Sequence, residues 1–503
     1  MLQLVSIGYA DMFLIYEPEI TLWKQVYKRH TNFAIEAIPQ YFNTKPDFGS
    51  RVTCTISKNA DMISRMYLVV NLPPIGRFLN VPGEAGEGNE NIAKCAWIKN
   101  IGFQLIKVAE LEVGGIILDR QYSDWLFIWS QLTTPLGHQR GLDMMIGNKP
   151  ELNNLTNGKD SYQLYVPLYF WFCIHSNLAL PLVAMETAEV KINIEFNTLD
   201  NCLILAPSHY MTIDDDIILF KPGDILQQTV KNVTYYAKFV HYDILTKRMY
   251  YIKITPEAFV TSEPIVGLSQ ISQISQISQI DSVDTRGSVT PVSSERLYLD
   301  KTKYFSHLLN LSLGTAYLLV DYIYLDLPER LKFLRSDHEM LIDVLQFDND
   351  KLLFHSNNKI KVGYNNLCKE LVFRGQYDYL AQGYAKEKFM YTNLTGGNLI
   401  KKAKLQLNGQ ERVRDTQIEY FEWLQPSQCH THMAPPGVAL YSFALTPETH
   451  QPTGAVNFSM VNDIVLDVTV DKGVSYNRPI KMRVYSLTSN ILRIIDGVVS
   501  LAF

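Results

Sequence analysis

The chain has 503 residues, 47% of them hydrophobic, and a formal net charge of −5. That length is more than one core can use and predicts two or three domains, while the mildly acidic balance lacks the basic footprint of a nucleic-acid binder. Aromatics make up 12%, with 29 Tyr and 23 Phe, which favours sheets, and no apolar stretch is long enough to cross a membrane.

Met1 to Tyr16 is apolar but lacks a basic start and a small-residue cleavage site, and Asp11 interrupts it, so it reads as an arm of the mature protein. Pro18 to Glu36 predicts an amphipathic helix. Ile20, Trp23, Val26 and Tyr27 recur at helical spacing, opposite Lys24, Lys28, Arg29 and His30. Strands then dominate. Arg51 to Ser57 alternates through Val52, Cys54 and Ile56, and Met66 to Leu72 is a continuous apolar strand ended by Pro73-Pro74. Phe78 to Asn91 and Gly137 to Gly158 are rich in Gly and Asn and read as loops, with a buried aromatic segment, Tyr122 to Leu132, between them.

Asp200 to Leu313 breaks the pattern. Thr234 to Tyr242 and Met249 to Ile254 are strand-like, but Ser269 to Ile280 is four copies of Ser-Gln-Ile, read as an exposed loop tip within an insertion. Such an insertion costs little closure entropy. Tyr317 to Leu325 resumes strand character, and the charged stretch Asp326 to Glu339, containing Pro328, reads as a linker. Beyond it follow the strand candidates Lys369–Phe373, Val438–Leu445, Ile464–Val470, Lys481–Leu487 and Asn490–Ile495. Many short strands between turn signals predict a sandwich or jelly roll.

Two passages repeat. Ala403 to Val413 alternates apolar and polar residues around Asn408-Gly409, which suits a two-residue type I′ turn. Ala109 to Leu118 has the same alternation around Gly114-Gly115. Tyr165 to Phe172, a Pro181 turn and Glu189 to Phe196 likewise parallel Val438 to Leu445, a Pro452-Thr453-Gly454 turn and Ile464 to Val470. One all-β module in two copies suggests a tandem architecture.

Candidate chemistry is sparse. Cys429-His430-Thr431-His432, with Glu448 and His450 downstream, is the best metal motif, but Pro435-Pro436-Gly437 and Pro447 make it an exposed loop with two histidines. Asp214-Asp215-Asp216 lacks the alternation and glycine of a calcium loop. Asp321, Asp326 and Glu329 have no identifiable acid–base partner. The cysteines Cys54, Cys95, Cys173, Cys202, Cys368 and Cys429 are scattered without a CxxC, which favours a reducing compartment over disulfides or zinc. No catalytic site, cofactor site or metal site is expected. Of five N-x-S/T sequons, Asn154, Asn232 and Asn393 lie in loop-like stretches and are the candidate glycosylation sites, whereas Asn457 abuts a strand and Asn310 is the fifth.

The residues also carry a family resemblance. Glu19 to Lys24 and Tyr27 to Ala34, Tyr165 to Leu168 with Leu178 to Leu182, and Val320 to Asp326 with Glu329-Arg330 are its N-terminal part. Lys404 to Gln410, Tyr441 to Leu445, His450 to Gly454, Asn457 to Ser459 and Asn490 to Ile494 continue it in the same order. Over nearly the whole length the chain resembles the major capsid proteins of the nucleocytoplasmic large DNA viruses, mimivirus-like members above all. The resemblance implies an all-β double jelly roll: two tandem eight-stranded jelly-roll sandwiches with an N-terminal arm and helix over 1–36. The first roll would span 37–330, with the long insertion at about 200–313, and the second 331–503. It implies no enzyme and no cofactor, but a homotrimer of six-sided outline that meets neighbouring capsomers, minor capsid proteins and penton proteins. It also implies an internal viral membrane near the arm and no direct contact with nucleic acid. Such a protein belongs to the outer shell of the virion and is assembled in the host cytoplasm. The start, Met1 to Tyr9, and the end, Asp496 to Ser500, depart from the family pattern and leave a minor capsid paralogue as an alternative. A jelly-roll carbohydrate-binding surface protein and a cupin-like metalloenzyme are the alternatives from other classes.

Overall fold

The computed structural model describes residues 8–9, 12, 16–17, 30–76, 95–185, 187–205, 209–213, 220, 224–230, 233–243, 247–253, 259–261, 263–268, 285–296, 311–378, 388–393, 396–471, 474 and 479–503. Sixteen strands build its two main bodies. The first eight are β1 (Phe33–Tyr41), β2 (Arg51–Thr55), β3 (Met62–Leu72), β4 (Ile106–Val113), β5 (Ile116–Tyr122), β6 (Tyr162–Pro167), β7 (Val190–Phe196) and β8 (Ala316–Leu325). The second eight are β9 (His338–Gln346), β10 (Asn357–Val362), β11 (Leu367–Tyr377), β12 (Ile400–Leu407), β13 (Gln410–Gln417), β14 (Val438–Ser442), β15 (Ile464–Val470) and β16 (Ile480–Ile495).

The pairing is the same in both halves. The first half forms sheets ordered β1-β8-β3-β6 and β2-β7-β4-β5, and the second forms β9-β16-β11-β14 and β10-β15-β12-β13. Adding eight to each strand of the first pair of sheets generates the second pair, so the chain is two jelly rolls in tandem. The repeat reaches single residues. In the β4–β5 hairpin Leu111 faces Asp119 and Glu112 faces Ile117, which leaves Leu118 as an extra, bulged residue. In β12–β13 Leu405 faces Val413 and Gln406 faces Glu411, which leaves Arg412 in the same place. Both turns have the positive φ values their sequences require: 58° and 85° at Gly114-Gly115, 52° and 77° at Asn408-Gly409.

Each roll buries its own core. Val52, Cys54, Leu68, Val70, Leu111, Ile192, Ile194 and Leu318 belong to the first, all at most 2% exposed. Phe373, Leu405, Phe421, Leu466, Val468 and Met482 belong to the second. In β15 the burial alternates strictly from Ile464 to Val470, as expected of a strand with one face inward.

The insertion between β7 and β8 has a fold of its own. Among the described residues seven strands pair in one sheet whose outermost members are Thr285–Val289 and Pro291–Arg296. Only Thr290 separates those two edges in sequence, and one residue spans at most ~3.6 Å. The sheet is therefore rolled until its edges approach, around Met211, Leu226, Phe239, Met249, Tyr251 and Ile265.

Several expectations are corrected. The helix expected over Pro18–Glu36 does not reach its end, because Phe33 to Tyr41 pairs residue by residue with β8. The buried aromatic segment is the helix α1, Ser123–Thr133. Within the stretch read as a loop, Leu136–Met145 is a second helix, α2, and Pro150–Asn153 a helical turn. Gly137 and Gly141 are tolerated in α2 because they face open space and compete with no packing. The expected linker is a third helix, α3, Leu327–Arg335, whose N-cap Asp326 accepts from the Leu327 N–H at 2.8 Å. Lys481–Leu487 and Asn490–Ile495 form one strand, since the Thr488 and Ser489 side chains bond Val344 and Asp343 without interrupting it. Residues 18–29, the Phe78–Asn91 loop and the Ser269–Ile280 repeat lie outside the described residues.

Candidate assembly interface

The seam between the rolls is built mainly by one helix. In α1, Trp125, Ile128, Trp129 and Leu132 recur at helical spacing, and all are at most 4% exposed. They pack on Leu345, Val372, Tyr391, Val438, Leu440, Tyr485 and Leu487 of the second roll. Trp125 stacks with Trp129 at 5.4 Å and tilts against Tyr485 at 5.4 Å, and Phe127 stacks on Phe389 at 4.6 Å. Each large side chain so buried contributes about 1.5–3 kcal/mol.

At its centre is a charge cluster. Asp124, 3% exposed, accepts from Arg374 Nη2 at 2.7 Å and Nε at 3.0 Å, from Arg483 Nη1 at 2.6 Å and from the Tyr485 hydroxyl at 2.6 Å. Burial alone would raise its carboxyl, but Arg483 and Arg374 outweigh that and hold it well below the usual carboxylate range. Arg483 also pairs with Asp350, so the cluster ties α1 to three segments of the second roll. Alongside it β5 contacts β9, where Asp119 Oδ1 accepts from the Leu345 N–H at 3.1 Å.

The counterparts of that strand pair stay uncovered. The seam uses β5 of the first roll and β9 of the second, so the repeat leaves β13 and β1. In β13 all but Val413 and Thr416 are exposed. In β1, Phe33 to Ala37 and Tyr41 are exposed, with Phe33 at 58% and Ile35 at 56%. Large apolar side chains on an edge strand mark a surface that another chain covers.

The candidate chemical residues of the sequence fall elsewhere. His430, expected in an exposed loop, is buried: its Nδ1 meets Glu448 Oε1 and its Nε2 meets Glu370 Oε2, each at 2.8 Å. Both ring nitrogens are taken by carboxylates, which makes an ion triad. Among the described residues no cluster of three or more His, Cys, Asp or Glu could hold a metal ion. Burial would lower the imidazolium, but Glu370 and Glu448 raise it to about 9. A base raised in this way stabilises the fold fully below its ordinary value near 6.5, and that stability is lost as pH rises through about 9. The second roll is expected to lose melting temperature between pH 7 and 10, and Glu448→Gln to flatten that loss. An unchanged slope in the variant would refute it.

Asp326 caps α3, Glu329 lies in its first turn, and Asp321 is a half-buried residue of β8 whose carboxyl burial raises against the pull of Arg65. No catalytic grouping brings them together. All six cysteines are free, and burial pushes the Cys54 thiol up to about 12. Asn154 is exposed, whereas Asn393 spends its side chain on the Gly397 N–H at 2.8 Å and on Asp471. Asn457 caps the short helix at Phe458–Met460. Asp214–Asp216, Asn232 and Asn310 lie outside the described residues. Sequence reasoning missed Asp124, Arg374 and Arg483, although the helical spacing of Trp125, Ile128/Trp129 and Leu132 was there to signal a buried helix with Asp124 in its first turn.

Tandem jelly rolls with an apolar seam and uncovered edge strands are the architecture of a structural, self-associating protein. Residues 21–243 match the family described as major capsid protein N-terminus, and residues 329–500 match large eukaryotic DNA virus major capsid protein. The probable capsid protein 4 of Acanthamoeba polyphaga mimivirus is 37% identical over 100% of this chain and 98% of its own. The major capsid protein of Phaeocystis pouchetii virus is 30% identical over 100% and 99%. Among solved structures, the Faustovirus major capsid protein superposes with a TM-score of 0.65 at 12% identity, covering 97% of this chain and 95% of that one. A chain of the PBCV-1 virus capsid gives 0.62 at 22% identity, covering 96% and 100%. This chain belongs to the major capsid proteins of large eukaryotic DNA viruses, a structural family of the virion capsid and not an enzyme family.

Proposed function

We propose that three copies of this chain close head to tail into a capsomer of six-sided outline, the tile of an icosahedral shell. The carrying observation is the pair of uncovered strands. Inside the chain, β5 of one roll meets β9 of the next. If β13 of one copy meets β1 of another, the same step is repeated between chains. Such a contact is heterologous and makes rings when the rotation closes. Six rolls give a hexagonal outline, and six rolls are three chains.

The test is solution mass by light scattering. Wild type is expected near three chains, and Phe33→Asp combined with Ile35→Asp near one, with unchanged circular dichroism. Both side chains are more than half exposed, so the change should spare the fold. A trimeric double variant, or a monomeric wild type, would overturn the reading.

Family membership supports the remaining assignments. An arm over 1–36, a first roll over 37–330 and a second over 331–503 organise the chain, with β1 drawing Phe33–Glu36 into the first roll. Capsomers meet one another and the minor capsid and penton proteins. The arm faces the internal membrane, and assembly occurs in the host cytoplasm. Of the glycosylation candidates, exposure favours Asn154 over Asn393, with Asn232 the third. Peptide mass mapping of virion-derived protein is expected to find sugar on the Asn154 peptide. An unmodified peptide there would remove this assignment.

A further inference from the structure

A cavity of about 20 Å³ lies in the seam, and its wall includes Asp119, Gln121, Trp171, His175, Asp343 and Glu448. That volume admits one water molecule, and such a water needs polar partners around it. Trp171 is 2% exposed, and its indole N–H has no partner among the described residues. A water here would accept from that N–H and meet one of the carboxyl groups that line the same cavity.

Asp119 is the wall residue whose charge is least compensated. It is 5% exposed, and its Oδ1 accepts from two backbone donors, Leu345 at 3.1 Å across the seam and Arg120 at 2.9 Å. The Arg120 side chain turns away to Glu110. From β9 it faces Asp343, which Lys369 pairs at 2.7 Å. Also on the wall stand Glu448, bound to His430 and Thr431, and His175, whose ring lies 5.8 Å from that of His450. Among the described residues no cation pairs with Asp119. Burial, with Asp343 adding to it, outweighs the N–H donors and pushes the carboxyl up to about 7. The second roll carries Val413 at the equivalent position, so the hairpin itself does not need an acid there.

We propose that this cavity is a hydrated proton switch in the seam: protonated Asp119 joins the rolls through Leu345 and one buried water, and its ionisation beside Asp343 and Glu448 loosens them. The water accepts from Trp171 and from the Asp119 hydroxyl. On ionisation it turns to donate to the carboxylate, and the buried charge left beside Asp343 and Glu448, with no cation among the described residues to compensate it, is what loosens the seam. An acid that is raised on folding stabilises the fold fully below its ordinary value, and loses that contribution as pH rises to the folded value. The window therefore runs from about pH 4 to pH 7.

Melting of the full chain at pH 5 and pH 8, for wild type and Asp119→Asn, tests this. Asn keeps the shape of the neutral acid at every pH. Wild type is expected to lose several degrees more than the variant between the two pH values, and the variant to match or exceed it at pH 8. Parallel pH dependence, or a variant less stable at both values, would overturn the switch. Should Asp119→Asn not fold, amide exchange of wild type at Leu345, corrected for intrinsic rate, gives the answer. Its protection should fall more between pH 5 and pH 8 than that of Val372 in the second roll. An equal fall would sink the idea.

Discussion

Replacing Asp124 by Ala is expected to cost about 3–5 kcal/mol and to uncouple the melting of the two rolls. The carboxylate compensates Arg374, whose side chain is 4% exposed, and Arg483, at 19%. Removing it leaves Arg374, among the described residues, with the Gln376 side chain at 3.1 Å and the face of Tyr391, 5.0 Å from its ring centre. A guanidinium so placed can neither reach water nor lose its proton. Arg483 suffers less because Asp350 stays beside it. Calorimetry of wild type should give one coupled transition, and the variant two, with the second roll melting first. Asp124→Asn, which keeps the shape but not the charge, should fall between them. The folded carboxyl is held below its ordinary value, so the seam keeps this contribution at neutral pH and loses it as pH drops below about 4. An alanine variant that melts like wild type would mean that α1 is held by its apolar face alone.

The second large effect is expected at Gly437, where Ala should cost more than about 3 kcal/mol. Two penalties add. Its φ of +86° is strained for any residue with a Cβ, worth about 1–2 kcal/mol. A Cβ there would also stand 2.3 Å from the Tyr391 carbonyl oxygen and 2.5 Å from its carbon. Those are backbone atoms, so relief requires moving the segment that carries Tyr391 into the seam core. The Gly437 N–H donates to Glu422 at 2.8 Å, which resists the opposite movement. Gly409→Ala is the internal control. Its φ is +77°, but nothing lies within 4 Å, so only the conformational cost of about 1–2 kcal/mol applies. Urea unfolding of the two variants side by side decides the matter. Equal losses would show that the close approach at Gly437 carries no energy.

Much of the fold was legible because strand signals are local. Alternation in Arg51–Thr55 and Ile464–Val470, and the Gly-Gly and Asn-Gly turns, depend on neighbours in sequence and appeared as read. The repeat was legible for the same reason, since each hairpin must solve one packing problem twice. Helices inserted among strands were harder. Gly137 and Gly141 read as loop formers, yet they lie on an open helix face. Asp326 with Pro328 was a sound helix start, read as a linker because charge outweighed capping.

The sequence by itself determined that this protein is two copies of one all-β module, because periodicity and turn chemistry act within a dozen residues. It also carried, in the order of its motifs, the capsid family to which the chain belongs. Only the tertiary structure decided where those modules meet. Asp124, Arg374 and Arg483 are far apart in the chain, and nothing local announces that burial will bring them within hydrogen-bonding reach. His430 looked like an exposed loop residue until Glu370 and Glu448 arrived from distant segments. Charge pairing in a low-dielectric seam depends on distance in space, and that distance exists only once both rolls have folded.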